Sequence, residues 1–256
     1  MCEVGGAATA QFALGSAAML RAVLLDMGGV LLDVGNAAGL PVGKADWRGR
    51  EVLVQAVRHA GGRVEIDELE RLLFAPWQVE YERRYETGHE AAWEPHLQRL
   101  RKASGCRARS LTLLAAWFEP YAETVRPMAG AGEALATLRE RGLKLALVSN
   151  VPLPGKLYAR LLRRHHLLKP FDSLHWSYES GSRKPSPAML RAALAAHGVA
   201  AEEALMVGDR RSVDVAAGRA AGVPTVWVRS LDTGGPRPDH EISSIAELPA
   251  LVEKLR

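Results

Sequence analysis

The apolar positions of this chain fall into two rhythms that alternate along most of its length. Arg21-Ala-Val-Leu-Leu-Asp26 is a short apolar run ending in an acid and followed by Gly28-Gly29, the pattern of a buried strand that carries a carboxylate to its C-terminal end. A second such run, Leu143-Lys-Leu-Ala-Leu-Val148, ends at Ser149-Asn150. Just before it, residues 133–141 space their apolar positions with a helical period, and Gly142 stands where a helix C-terminus favours glycine. Helix then strand recurs over 155–166 and 173–178, 186–197 and 204–207, and 213–221 and 225–228, with a last strand near Glu241 and a helix over 248–255. Strands alternating with helices predict parallel βαβ units, and so a doubly wound, Rossmann-like α/β sheet.

Residues 36–126 break that alternation and read as nearly all helical. Helices are predicted over 51–60, from the capping-box-like start Asp67-Glu68-Leu69-Glu70, over 90–103 and over 110–121. The predicted organisation is therefore an α/β core of residues 21–35 and 127–256 with an all-helical domain, 36–126, inserted after the first strand. That insertion accounts for the length, since 256 residues exceed the roughly 100–150 of an ordinary domain. Residues 1–20 contain many Ala and Gly but no Lys or Arg before Arg21, so they lack the basic start of a signal peptide. They are expected to form a disordered leader, with Met19 as an alternative start.

Composition narrows the classes. Hydrophobic residues at 48% and charged residues at 24% are ordinary globular usage and exclude disordered, collagen-like and disulfide-scaffold classes. The formal charge of +4 comes from 33 Lys+Arg against 29 Asp+Glu dispersed along the chain. A nucleic-acid surface needs a stripe or cluster, so no nucleic-acid partner is expected. No apolar run approaches the ~18–20 residues of a membrane helix, and no membrane association is expected. Cys2 and Cys106 lie far apart and form no metal or disulfide pattern, which fits a reducing cytoplasm. The sequence leaves the oligomeric state open.

In an open parallel sheet, ligands bind beyond the carboxyl ends of the strands. The polar residues predicted there are Asp26, Ser149, Asn150 and Asp209, with Lys184 and Asp214 in the following loop or helix positions. Carboxylates brought together repel and raise one another's pKa unless a cation neutralises them. Mg²⁺ suits such a set, because it needs one or two carboxylates plus waters and a substrate phosphate. Lys184 adds a fixed positive charge and Ser149 a hydroxyl donor for phosphoryl oxygens.

Asp26-Met-Gly-Gly-Val-Leu31, Leu147-Val-Ser-Asn150, Lys184-Pro185 and Gly208-Asp209 followed by Asp214 resemble, in order, the four motifs of the haloacid dehalogenase-like (HAD) hydrolase superfamily. The resemblance covers the predicted core, and the helical insertion is similar in position, length and helical character to the family's C1 cap. The likeness implies a phosphatase acting on a small phosphorylated metabolite, with Asp26 as the nucleophile that forms an aspartyl-phosphate. It implies that Ser149, Asn150 and Lys184 bind the phosphoryl group. It implies further that Asp26, the Gly28 carbonyl, Asp209 and Asp214 surround Mg²⁺. One residue departs from the pattern. The family's phosphatases usually carry a second aspartate two residues after the nucleophile, as acid and base, and here that position is Gly28. Asp33 is a poorly placed substitute.

Gly28 keeps a second reading open, a catalytically weak or inactive HAD-like protein that binds a phosphorylated ligand or partner. Metal-free dehalogenation is disfavoured by Asp209 and Asp214, and phosphonate cleavage by the lack of a recognisable context around Lys44 and Lys102. Trp77, Trp93 and Trp117 are expected in the core of the insertion, and substrate selectivity in its side chains.

Overall fold

The computed structural model describes residues 19–35 and 39–256. Its strands are β1 (Ala22–Leu25), β2 (Leu32–Asp33), β3 (Arg126–Pro127), β4 (Lys144–Ser149), β5 (Ser173–Trp176), β6 (Ala204–Gly208), β7 (Thr225–Val228) and β8 (His240–Ile242). Six of them form one sheet in the order β5-β4-β1-β6-β7-β8, and every pairing in it is parallel. The doubly wound α/β core predicted from the alternation is therefore observed.

Strand β1 shows why both faces are covered. Side chains alternate across a strand, and here Val23 and Leu25 pack into one apolar cluster while Ala22 and Leu24 pack into another on the opposite face. In β4, Leu145 and Leu147 join the first cluster, and Ala146 and Val148 the second. The second cluster is completed by Met189, Leu190 and Ala193 of the helix Ala188–His197. A sheet buried on both sides needs near-continuous apolar strands, which the sequence supplies.

The chain leaves β1 for β4 on one side and later returns through β6 on the other. The reversal of strand order lies at β1, and a crevice is expected there at the carboxyl ends. Register makes those ends level, since Leu25 is opposite both Leu147 of β4 and Val207 of β6.

Between β2 and β3 the described elements are all helical. The two stems of this stretch are tied by antiparallel pairing of Leu32 with Pro127 and Asp33 with Arg126, a contact of two-residue strands that hydrophobic pattern does not reveal. The helix Gly43–His59 starts earlier than expected and packs on Ser110–Ala122. The helix predicted from Asp67 starts at Ile66, where Glu65 and Glu68 form the capping box. The helix predicted over 90–103 begins only at Glu94, so Glu90 and its neighbours are not helical. Leu20, assigned to the leader, is buried in the core cluster, and the rest of that leader except Met19 lies outside the described residues. Among the described residues no helix is long and apolar enough to cross a membrane.

Trp77, Trp93 and Trp117 are all buried, as expected. Trp93 stacks on Trp77 with ring centroids 3.9 Å apart and also donates its indole N–H to the Pro152 carbonyl at 2.8 Å. It joins the insertion to the loop after β4. Trp93→Ala is expected to destabilise the protein by about 3–5 kcal/mol, read as a lower urea midpoint at unchanged slope. A shift below about 1 kcal/mol would show that the stack is not a principal packing contact.

Candidate active site

A cavity of about 410 Å³ opens at the carboxyl ends of β1, β4 and β6, and Asp26, Ser149, Asn150, Lys184, Asp209 and Asp214 all line it. The structure thus brings together every site residue expected from the sequence, including Gly28. Asp26 directly follows β1, and its backbone N–H donates to Val207 O at 2.9 Å, which holds the carboxylate against β6. Ser149 ends β4 and is buried.

Lys184 is the electrostatic centre. Its side chain is only 1% exposed, and its Nζ lies 2.7 Å from Asp26 Oδ1 and 2.7 Å from Asp214 Oδ1 while donating to Val148 O at 2.7 Å. Burial alone would lower the lysine pKa, but Asp214 and Asp26 more than offset it and the net shift is upward. Lys184 is therefore a cation at neutral pH.

Two glycines make this crowding sterically feasible. Gly208 would place a Cβ 2.2 Å from Asp214 Cβ. Gly29 has φ +70°, and a Cβ there would lie 2.3 Å from Asp209 Oδ2. Only glycine fits both the left-handed turn and the close carboxylate.

Asp26, Asp209 and Asp214 present carboxylate oxygens that all lie within 4.8 Å of one another. Three carboxylates facing one ammonium leave the pocket short of positive charge. Burial, then Asp26 and Asp214, push the Asp209 carboxyl up to about 8. Burial likewise raises Asp214, against the opposing pull of Lys184. Asp209 Oδ1 is buried without a hydrogen-bond partner among the described residues. An orphaned carboxylate oxygen within reach of two other carboxylates is what a small divalent cation would satisfy, so the donor set fits Mg²⁺.

Asn150 lines the cavity and is also paired with the Lys184 backbone. Its Nδ2 donates to Lys184 O and its Oδ1 accepts from Lys184 N, both at 2.9 Å. Both polar ends of the amide hold the lysine backbone. Asp33 is exposed, and its Oδ1 accepts the Gly35 N–H at 3.0 Å.

The outer wall is assembled from several segments of the chain. Among the described residues, none between 40 and 126 lines the cavity. The wall comes from Val34, from Gly39 near the start of the insertion, from Tyr158, and from the loops carrying Arg210, Leu231 and Asp232. Arg210, unremarkable in so arginine-rich a sequence, is half-buried, and its Nε reaches Asp232 Oδ2 at 3.3 Å. Asp232 is held in turn by the Ser212 hydroxyl at 2.7 Å. A cation following a site aspartate was the available signal in the sequence, but the partner residues 212 and 232 could not be read from spacing.

A family model for haloacid dehalogenase-like hydrolases matches residues 20–222. The chain belongs to this family. Within the HAD-like hydrolases it is 40% identical over 156 residues to a phosphoserine phosphatase of Thermus thermophilus, a match covering 58% of this chain and 60% of that one. It is 29% identical over 252 residues to a glyceraldehyde 3-phosphate phosphatase of Methanopyrus kandleri, covering 93% and 99% of the two chains. The fold resembles that of a HAD phosphatase from Thermococcus onnurineus with TM-score 0.62 at 24% identity, over 91% of this chain and 98% of the other. The match thus spans 60% of the Thermus relative's length but nearly all of the Methanopyrus one. The relatives are named as phosphatases of small phosphorylated metabolites.

Proposed function

We propose that this HAD-like hydrolase is a Mg²⁺-dependent phosphatase of a small phosphorylated metabolite. The observation that carries this reading is the convergence of Asp26, Asp209 and Asp214 around one buried lysine at the mouth of the sheet. Relatives named as phosphatases support the reaction class.

Asp26, Asp209, Asp214 and the Gly28 carbonyl would hold Mg²⁺, which when bound supplies positive charge to the phosphoryl oxygens. The substrate phosphorus sits above Asp26. The Asp26 carboxylate attacks it, an aspartyl-phosphate bond forms, and the bond to the leaving oxygen breaks. Lys184 neutralises charge on the transferring group, and the Ser149 hydroxyl donates to it. Asn150 keeps Lys184 in place through the paired hydrogen bonds to its backbone. Water then attacks phosphorus, releasing inorganic phosphate and restoring Asp26. No carboxylic acid at position 28 protonates the leaving oxygen, so its proton comes from water. The insertion acts as a cap over this chemistry, while Val34, Arg210, Leu231 and Asp232 face the remainder of the substrate.

Phosphate release from an aryl phosphate and a panel of phosphometabolites is expected to need Mg²⁺ and to stop on chelation. Added Mg²⁺ is also expected to raise the melting temperature, because a cation that binds only the folded carboxylate cluster stabilises it by mass action. Metal-independent turnover, or no change in melting temperature at millimolar Mg²⁺, would reject the assigned metal site. Gly28 favours a second reading, a protein that binds a phosphorylated ligand without turning it over. Tight phosphometabolite binding with no release in the same panel selects it.

A further inference from the structure

The catalytic lysine does not hold its own position. Its loop is fastened to residues 88–93 of the insertion, of which 90–93 belong to a helix predicted from the sequence pattern. Gly88 O accepts the Arg183 N–H at 3.1 Å, His89 Nδ1 contacts Gly181 O, and Trp93 reaches Pro152 O. Between them lies Glu90, whose side chain is 3% exposed. Its Oε1 receives both the Ser177 hydroxyl and the Arg183 guanidinium, and its Oε2 is buried without a partner among the described residues. The Arg183 side chain is itself only 9% exposed.

Each of these partners adjoins a site residue. Ser177 Oγ accepts the backbone N–H of Val151 at 2.8 Å, and Val151 follows Asn150. Arg183 precedes Lys184, whose backbone is clasped by the Asn150 amide. A single carboxylate oxygen therefore fixes the loop after β4 through Ser177 and the lysine loop through Arg183. Those loops meet again at the Asn150–Lys184 pair, closing a ring of hydrogen bonds.

Burying a carboxylate and a guanidinium costs more than apolar residues of similar volume would, so the pair is not explained as a source of stability. What it supplies is geometry. We propose that Glu90 is a positioning residue, acting through Ser177 and Arg183 to set Lys184 and the loop after β4 for phosphoryl transfer, so that this stretch of the insertion governs the rate from outside the cavity. The consequence for rate rests on the phosphatase reading above; the consequence for loop geometry does not.

Removing one partner alone strands a buried charge and can unfold the protein. The decisive variant is therefore Glu90→Leu/Arg183→Met, with Glu90→Gln as the conservative variant that keeps an acceptor oxygen. Amide hydrogen exchange is measured at Val151 and Lys184, against Leu147 within β4, together with kcat, KM and melting temperature. In the double variant, exchange at Val151 and Lys184 is expected to accelerate at least tenfold with Leu147 unchanged. Its kcat is expected to fall at least tenfold with KM within threefold, and Glu90→Gln to recover most of both. Unchanged exchange at Val151 and Lys184 in the folded double variant overturns the proposal. So does accelerated exchange with wild-type kcat. If the wild-type protein shows no Asp26-dependent turnover, the phosphatase reading fails on that result, and exchange alone decides whether Glu90 positions the loops.

Discussion

Asp26→Asn is expected to reduce phosphate release by at least about 10³-fold, the scale of loss when a covalent nucleophile is removed. The substitution is nearly isosteric. It retains an oxygen that can accept from Lys184 and removes the negative charge that attacks phosphorus and would help hold Mg²⁺. Loss of activity then cannot be blamed on packing. The same change is expected to raise the melting temperature of the metal-free protein, because three carboxylates converge there and Lys184 retains Asp214 as a partner at 2.7 Å. Like charges sharing a buried site oppose folding, and function accounts for their retention. Calorimetry beside a phosphate-release assay checks both halves. Activity within tenfold of wild type would remove Asp26 from the nucleophile's role; a lower melting temperature would show that the Asp26–Lys184 contact outweighs the repulsion.

The parts of this site that were legible in the sequence are those set by local pattern. Asp26, Ser149 and Asp209 each end or follow a short apolar strand, and the parallel sheet sends all such ends to one edge. Position along the chain therefore predicted position in space. Contacts that depend on side-chain direction were not legible. Spacing placed Lys184 near the carboxylates but did not reveal that it lies between Asp26 and Asp214. Nor did it reveal that both ends of the Asn150 amide, which the family likeness implies as a phosphate ligand, hold the Lys184 backbone.

Residues 88–93 show a different limit. Glu90 begins a stretch whose apolar spacing continues smoothly into the helix Glu94–Ser104. Helical period runs through it from Glu90, yet the stretch before Glu94 is not helical and Glu90 turns to Ser177 and Arg183. Propensity is a weak prior where long-range polar contacts compete. The pairing of β2 with β3 is similar, since strands of two residues carry no period and their partners are distant in sequence.

Gly28→Asp is expected to raise turnover at least tenfold, and Gly28→Asp/Val34→Ala to raise it further. A general acid and base contributes about 10²–10⁴ in rate, roughly 3–5 kcal/mol of barrier, and position 28 is where the family's phosphatases carry theirs. The backbone at Gly28 is not left-handed, so an aspartate fits its dihedral angles. The obstacle is Val34, whose Cγ2 would lie 3.1 Å from the new Cβ. Val34 is also held from behind, since the Tyr121 hydroxyl donates to its carbonyl at 2.8 Å. The single variant must push the valine aside by a few tenths of an ångström, and trimming it to alanine removes the conflict. Gly29→Asp is the contrasting control, because φ +70° and the Asp209 carboxylate both exclude a side chain there, and it is expected to be inactive. The gain at position 28 should be larger for an alkyl phosphate than for an aryl phosphate. An alkoxide is the poorer leaving group and depends more on receiving a proton as its bond to phosphorus breaks. Equal gains on both substrates would mean that the introduced carboxyl group acts by binding rather than by proton transfer. No gain in a folded double variant would mean that another group already supplies the proton.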